Sequence, residues 1–315
     1  MSSQEKTTIL FTAGDPGGVG YEILLKAVPQ LKKANLLPKI LFLVNEGALA
    51  YWAKKLSCET SLSELRIRAV GDRGFVPRVG EDHAENGKVA LACLKEAVRE
   101  LKEHSCPYLV TGPISKKAIV LAGEKGFTGH TTFLARQFGV EQYTMVLANP
   151  DFAVALVTIH HALKDVPKLV TREQIRYTID NFYRFMQSKR EQETIWVCAL
   201  NPHAGEGGEL GLEERDVIVP CLKELKKEGY PVEGPFPADA LFKKAARKTG
   251  RYFVGMYHDQ GLIPVKMLGE NQTVNITLGL PFYRISVEHG TAYDIAGKNQ
   301  ADPASLLAAF ANISG

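Results

Sequence analysis

The chain has 315 residues, 45% hydrophobic and 23% charged, the make-up of an ordinary globular protein of about two domains. Its 38 basic and 35 acidic residues leave a net charge of +3, which gives no footprint for nucleic acid or a membrane surface. No apolar run is long enough to span a bilayer. The five cysteines form no CxxC pair, and residues 1–6 lead into a strand without a signal peptide, so a reducing cytoplasm is the expected setting.

Short runs rich in Val and Ile predict strands at 7–12, 40–44, 66–70, 108–111, 145–148, 153–159, 195–200, 252–256 and 274–277. Amphipathic stretches between them predict helices at 21–32, 87–104, 131–138, 171–187, 212–227 and 239–248. Thr171 and Gln174 have capping-box spacing at the start of the fourth helix. Strands alternating with helices imply α/β layers on a largely parallel sheet, with a ligand cleft at the C-terminal strand ends. The glycine-rich turn at 123–129 is the expected boundary, which gives one domain of residues 1–125 plus 297–315 and a second of 126–296.

The first strand runs into Gly14-Asp15-Pro16-Gly17-Gly18-Val19-Gly20. The spacing differs from the dinucleotide fingerprint. Asp15 and Pro16 would place a negative charge and a missing N–H where a phosphate should sit, so the run reads as a tight structural turn. Thr128-Gly129-His130-Thr131-Thr132 opens a helix. It offers a hydroxyl, an imidazole and free N–H groups suited to an anion, or simply an N-cap.

Three histidines sit in step after strands: His160, His203 and His258. In a parallel sheet those strand ends share an edge, and three imidazoles with an open position make a divalent-ion site. His161 would point the other way. His203 lies in Asn201-Pro202-His203-Ala204-Gly205-Glu206-Gly207-Gly208, which leads toward Glu213 and Glu214. The stretch from Tyr257 to Ala296 concentrates further polar groups among glycines and prolines, and this punctuation predicts loops at strand ends.

Together these motifs, in order with Tyr257-His258-Asp259-Gln260-Gly261 and Asn275-Ile276-Thr277-Leu278-Gly279-Leu280-Pro281, resemble the 4-hydroxythreonine-4-phosphate dehydrogenase family of vitamin B6 biosynthesis over essentially the whole chain. The closing His289-Gly290-Thr291-Ala292-Tyr293-Asp294-Ile295-Ala296-Gly297 also resembles the adenosine-binding loop of isopropylmalate and isocitrate dehydrogenases. The resemblance implies their fold, two α/β/α domains with a cleft between them. It implies a homodimer with its site at the subunit interface.

Carried over by position, the resemblance implies metal ligation by His160, His203 and His258. It implies substrate contacts from His130, Thr131, Lys266, Asn275 and Arg284, with Lys266 and Arg284 supplying charge for a phosphate or carboxylate. NAD is implied at Gly290, Thr291, Ala292, Asp294 and Ile295. In the related dehydrogenases an acid at the position of Asp294 holds the ribose hydroxyls, and an acid there would repel a 2′-phosphate, which favours NAD over NADP. The ion is expected to be zinc, with magnesium, cobalt, nickel and manganese as alternatives.

The implied reaction is NAD-dependent oxidation of 4-phosphohydroxy-L-threonine, with decarboxylation to 3-amino-2-oxopropyl phosphate. Lys266, its pKa lowered by burial, is the expected acid–base group and Asp239 the second candidate. Thr132 stands where the family has Glu, which opens 4-phospho-D-threonate, 4-phospho-D-erythronate or an unphosphorylated diol acid as substrate. A metallohydrolase and a non-catalytic phosphate-binding protein are the readings from other classes.

Overall fold

A computed structural model describes residues 9–104 and 106–313. Thr7 and Thr8 of the first expected strand, and residues 1–6, lie outside the described residues. The chain forms two compact units, one reaching Gln142 and resuming at Leu280, the other running from Tyr143 to Gly279. Residues 126–142 and 280–296, assigned from sequence to the second domain, fall in the first unit. Strand pairing accounts for the later segment, because Tyr283–Val287 pairs in parallel with Tyr108–Thr111.

The first unit holds β1 (Ile9–Thr12), β2 (Ile40–Val44), β3 (Ile67–Ala69), β4 (Tyr108–Thr111) and, last in the chain, β11 (Tyr283–Val287). Their order is β3-β2-β1-β4-β11, all parallel. β1 is buried along its whole length, as a parallel strand covered on both faces must be. Phe11 sits between Phe42 and Phe310, at ring-centroid distances of 5.7 and 5.9 Å.

The second unit holds β5 (Thr144–Ala148), β6 (Ala153–Leu156), β7 (Ile195–Cys198), β8 (Val232–Phe236), β9 (Tyr252–Gly255) and β10 (Val274–Leu278). Their order is β10-β5-β6-β9-β7-β8. The β10–β5 and β5–β6 pairs are antiparallel and the others parallel. Phe152, Val154, Leu156, Phe253 and Val265 build its core.

Thr171 caps the helix Arg172–Ser188 by accepting from the Gln174 N–H at 3.2 Å. The Gln174 side chain donates to the Val157 carbonyl at 3.1 Å. The expected helix at 212–227 opens with a π-helical turn, Glu214–Ile218, before Val219–Lys227.

The glycine and proline punctuation after Tyr257 predicts loop, yet His258–Gly269 is a helix that contains Pro264. Gly261 is there for packing and makes no turn. A Cβ on it would lie 2.7 Å from Leu156 Cδ2 and 2.8 Å from Val154 Cγ1, so its bareness lets the helix press onto β6. No helix among the described residues is long and apolar enough to cross a membrane.

Candidate functional site

Arg284 lies on β11 and is 5% exposed. Its Nε and Nη2 donate to Thr111 Oγ1 at 3.1 and 2.9 Å, and its Nη1 donates to Thr131 Oγ1 at 3.4 Å. Among the described residues it forms no ion pair with a carboxylate. Burial alone pulls its pKa down to about 10. A buried guanidinium that meets only hydroxyls carries uncompensated charge, and a buried charge needs an opposite charge or dense hydrogen bonding.

His130 opens the helix His130–Gln137 and is buried. Burial first, then the nearby Arg284 charge, hold its imidazole well below the ordinary histidine pKa, so it is neutral at physiological pH. Gly129 precedes it at φ 148°, with no side-chain cap on the helix. The first unit therefore brings together a guanidinium, a neutral imidazole and two hydroxyls, a set suited to an anion. The residue that sequence reasoning missed is Thr111, whose one signal was a hydroxyl closing an apolar strand.

His160 and His258, in the second unit, face each other with ring centroids 5.5 Å apart. His258 Nδ1 lies 2.6 Å from Asp259 Oδ1. A carboxylate at Nδ1 fixes the proton there and leaves the Nε2 lone pair as the ligand atom. β6 ends at Leu156, so His160 stands on an exposed loop beyond the strand.

His203 occupies an unusual backbone. Residues His203, Ala204, Gly205, Glu206 and Gly207 all have φ between 42° and 76°, a left-handed turn that costs energy at every non-glycine position. Glu214, 4% exposed, anchors it. Its Oε1 accepts from the Leu200 and Asn201 N–H groups at 2.8 Å each, and its Oε2 accepts from Asn201 Nδ2 at 2.9 Å. Glu214 falls in the helix expected at 212–227, and no motif in the sequence marks this role.

The three imidazoles are not all within 4.8 Å of one another. Among the described residues the one His/Cys/Asp/Glu triplet that close is Glu100, Glu103 and His104, whose acids pair with Arg68 and Arg99.

Lys266 and Asp239 are exposed, on the helices His258–Gly269 and Ala238–Ala246. The burial expected of Lys266 is absent within this chain. Asn275 is half-buried on β10. Both Lys266 and Asn275 lie in the second unit, whereas His130, Thr131 and Arg284 lie in the first.

The turn Gly290–Ile295 lies in the first unit. Ala292 has φ 45°, and its carbonyl accepts from the Ile295 and Ala296 N–H groups at 3.1 Å. Asp294 is exposed, and open space lies where a Cβ would stand on Gly290. His289 keeps a buried Nε2 with no hydrogen-bond partner among the described residues. Its Nδ1 is 2.9 Å from the Gly290 carbonyl.

The family model described as pyridoxal phosphate biosynthetic protein PdxA matches residues 26–313. A 4-hydroxythreonine-4-phosphate dehydrogenase from Sulfurihydrogenibium sp. is 38% identical, the alignment covering 96% of this chain and 95% of that protein. The crystal structure of 4-hydroxythreonine-4-phosphate dehydrogenase from Klebsiella pneumoniae superposes with a TM-score of 0.82 at 30% identity, covering 98% and 99% of the two chains. A β-decarboxylating dehydrogenase from Thermococcus kodakarensis shares the fold, with a TM-score of 0.52 at 13% identity over 96% and 81% of the chains. The chain belongs to the PdxA family of pyridoxal phosphate biosynthetic proteins.

Proposed function

We propose that the protein is a 4-hydroxythreonine-4-phosphate dehydrogenase that uses NAD and a divalent ion to oxidise 4-phosphohydroxy-L-threonine. The observation that carries this reading is the buried Arg284, which among the described residues meets only the hydroxyls of Thr111 and Thr131 beside a neutral His130. A substrate phosphate supplies the charge this guanidinium lacks.

Within this chain the expected ion ligands come together only in part, with two of the three imidazoles facing each other. His160 and His258 face each other, and His258 presents Nε2; with His203 they would hold the ion. Asp294, exposed on the Gly290–Ile295 turn, would bind ribose hydroxyls. When bound, the ion supplies positive charge beside the alcohol oxygen and NAD supplies the hydride acceptor.

The chain's own residues then do the following. Arg284, Thr131 and His130 bind and orient the phosphate, with Asn275 as a further polar contact. Lys266 takes the proton of the alcohol as its carbon loses hydride. The resulting 3-keto acid loses carbon dioxide, the electron pair of the broken bond passes toward the ketone, and Lys266 returns a proton to yield 3-amino-2-oxopropyl phosphate. Asp239 is the alternative proton carrier.

A homodimer accords with the exposed apolar face on the helix His258–Gly269, where Ile263 is 57% and Met267 76% exposed. A second copy covering that face would also bury Lys266 and bring further ligands to the ion. Five free cysteines accord with the cytoplasm.

Thr132 favours a second substrate reading. Its hydroxyl lies 2.6 Å from Thr128 Oγ1 and 3.2 Å from the Gly129 carbonyl, and it brings no carboxylate to meet a substrate amine. 4-Phospho-D-threonate and 4-phospho-D-erythronate lack that amine. The test is NADH formation by metal-loaded protein with each of the three phosphorylated acids. Preference for the first supports the proposal, and preference for an amine-free acid moves the protein to that substrate. No NADH from any of them, with metal bound, sinks the phosphorylated-substrate reading.

A further inference from the structure

The Gly14–Gly20 turn is occupied by its own side chain. Asp15 is fully buried. Its Oδ1 accepts from the Gly17 N–H at 2.7 Å, an N–H of the kind a phosphate would take in a dinucleotide loop. Its Oδ2 accepts from the Tyr293 hydroxyl at 2.9 Å, 278 residues along the chain.

A second tie lies beside it. The Val19 N–H donates to the Thr291 carbonyl at 3.0 Å. Gly18 presses on the same residue so closely that a Cβ would stand 2.6 Å from the Thr291 carbonyl oxygen. The two ties bracket Ala292, whose φ of 45° is strained for a residue with a side chain. Asp294 follows immediately. Behind the turn, the Trp52 indole N–H donates to the Pro16 carbonyl at 2.9 Å, and Asp82 is hydrogen-bonded to Ser115 and paired with Lys117 at 3.3 Å.

We propose that Asp15 and Tyr293 form a latch that holds the 290–295 turn in its cofactor-binding shape, with Asp15 acting as a positioning residue for NAD. The inference rests on the reading of that turn as the adenosine site. It assigns the glycine-rich turn a task other than phosphate binding. The glycines admit close backbone packing, and the buried acid grips the tyrosine. Neither Asp15 nor Tyr293 touches the reacting atoms, so loss of the latch is felt in cofactor affinity.

The test is NAD titration of the metal-loaded full chain, followed by the fluorescence of Trp52 against the Pro16 carbonyl, with steady-state kinetics alongside. Tyr293→Phe and Asp15→Asn should each raise the NAD Kd about tenfold, the scale of one hydrogen bond to a charged group. The double variant should be no weaker than either single, as expected for two partners in one bond. The kcat at saturating NAD should stay within about twofold, which a general loss of fold does not produce. Additive effects, or an unchanged Kd in Tyr293→Phe, overturn the latch. Asp294→Ala separates the two readings. If it weakens NAD while the latch variants do not, the latch alone fails. If neither does, the adenosine-site reading fails and takes the latch with it.

Discussion

Arg284 donates twice to one hydroxyl, Thr111 Oγ1, at 3.1 Å from Nε and 2.9 Å from Nη2. Such a pairing leaves the positive charge unneutralised in a buried place. Proteins retain an arrangement of this kind where a ligand completes it, because an isolated buried charge costs several kcal/mol. β4 supplies the threonine and β11 the arginine. They are paired in parallel, with Arg284 opposite Leu109.

Arg284→Met should therefore raise the KM for the phosphorylated substrate about 100-fold, the equivalent of about 3 kcal/mol of charge-assisted hydrogen bonding. The melting temperature should hold or rise, since the variant no longer buries a charge without a partner. Steady-state kinetics with thermal unfolding decide the matter. An unchanged KM in a folded variant would remove Arg284 from the anion site.

The metal half of the site yields a graded prediction. His258→Ala should abolish tight binding of zinc, and Asp259→Asn should weaken it by about 10–100-fold, the usual effect of losing the carboxylate behind a histidine ligand. Competition with a chelating dye reads both without any turnover assay. Asp259→Asn with undiminished affinity would show that the 2.6 Å contact to Nδ1 does not tune the ligand.

Most strand positions were legible in the sequence because apolar patterning is local. Continuous apolar runs such as Ile9–Thr12 and Thr144–Ala148 identify buried strands, and the Thr171 cap was readable from spacing alone. Gly261 and Pro264 misled because punctuation was read as turn, whereas Gly261 answers the Leu156 and Val154 side chains of another element. Thr111 and Glu214 were invisible for the same reason. Each acts on a partner supplied by the fold, Arg284 in one case and a left-handed turn in the other, and neither carries a motif. β11 was missed although four of its five residues are buried, because Arg284 and Ser286 interrupt its apolar pattern.

The left-handed turn bearing His203 should depend on Glu214. Glu214→Gln keeps an oxygen for the Leu200 and Asn201 N–H groups and turns an amide donor toward the donating Asn201 Nδ2. A buried donor without an acceptor costs roughly 1–3 kcal/mol. Urea unfolding should show a loss of that size with an unchanged m-value, accompanied by weaker zinc binding. Full stability in the variant would mean that the turn is held by other contacts.

Asp15 gives the protein a pH signature in stability. Burial, as the largest cause, raises its pKa from 3.8 to about 6, against the opposing pull of the Gly17 N–H and the Tyr293 hydroxyl; nearby Asp82 raises it further. The folded state thus binds the proton more tightly than the unfolded chain. A raised acid favours folding fully below the unfolded pKa, and that contribution disappears as pH climbs through the folded one. The wild type should lose roughly 3 kcal/mol from this group between about pH 4 and pH 6 and nothing further above it. Asp15→Asn lacks the titration, so the stability difference between wild type and variant should move by that amount across the same window, in the variant's favour at the upper end. Denaturant unfolding of both proteins at several pH values measures it. A difference that is flat across the window would mean that Asp15 titrates as an ordinary exposed carboxylate, and the buried acid under Tyr293 would lose its energetic cost.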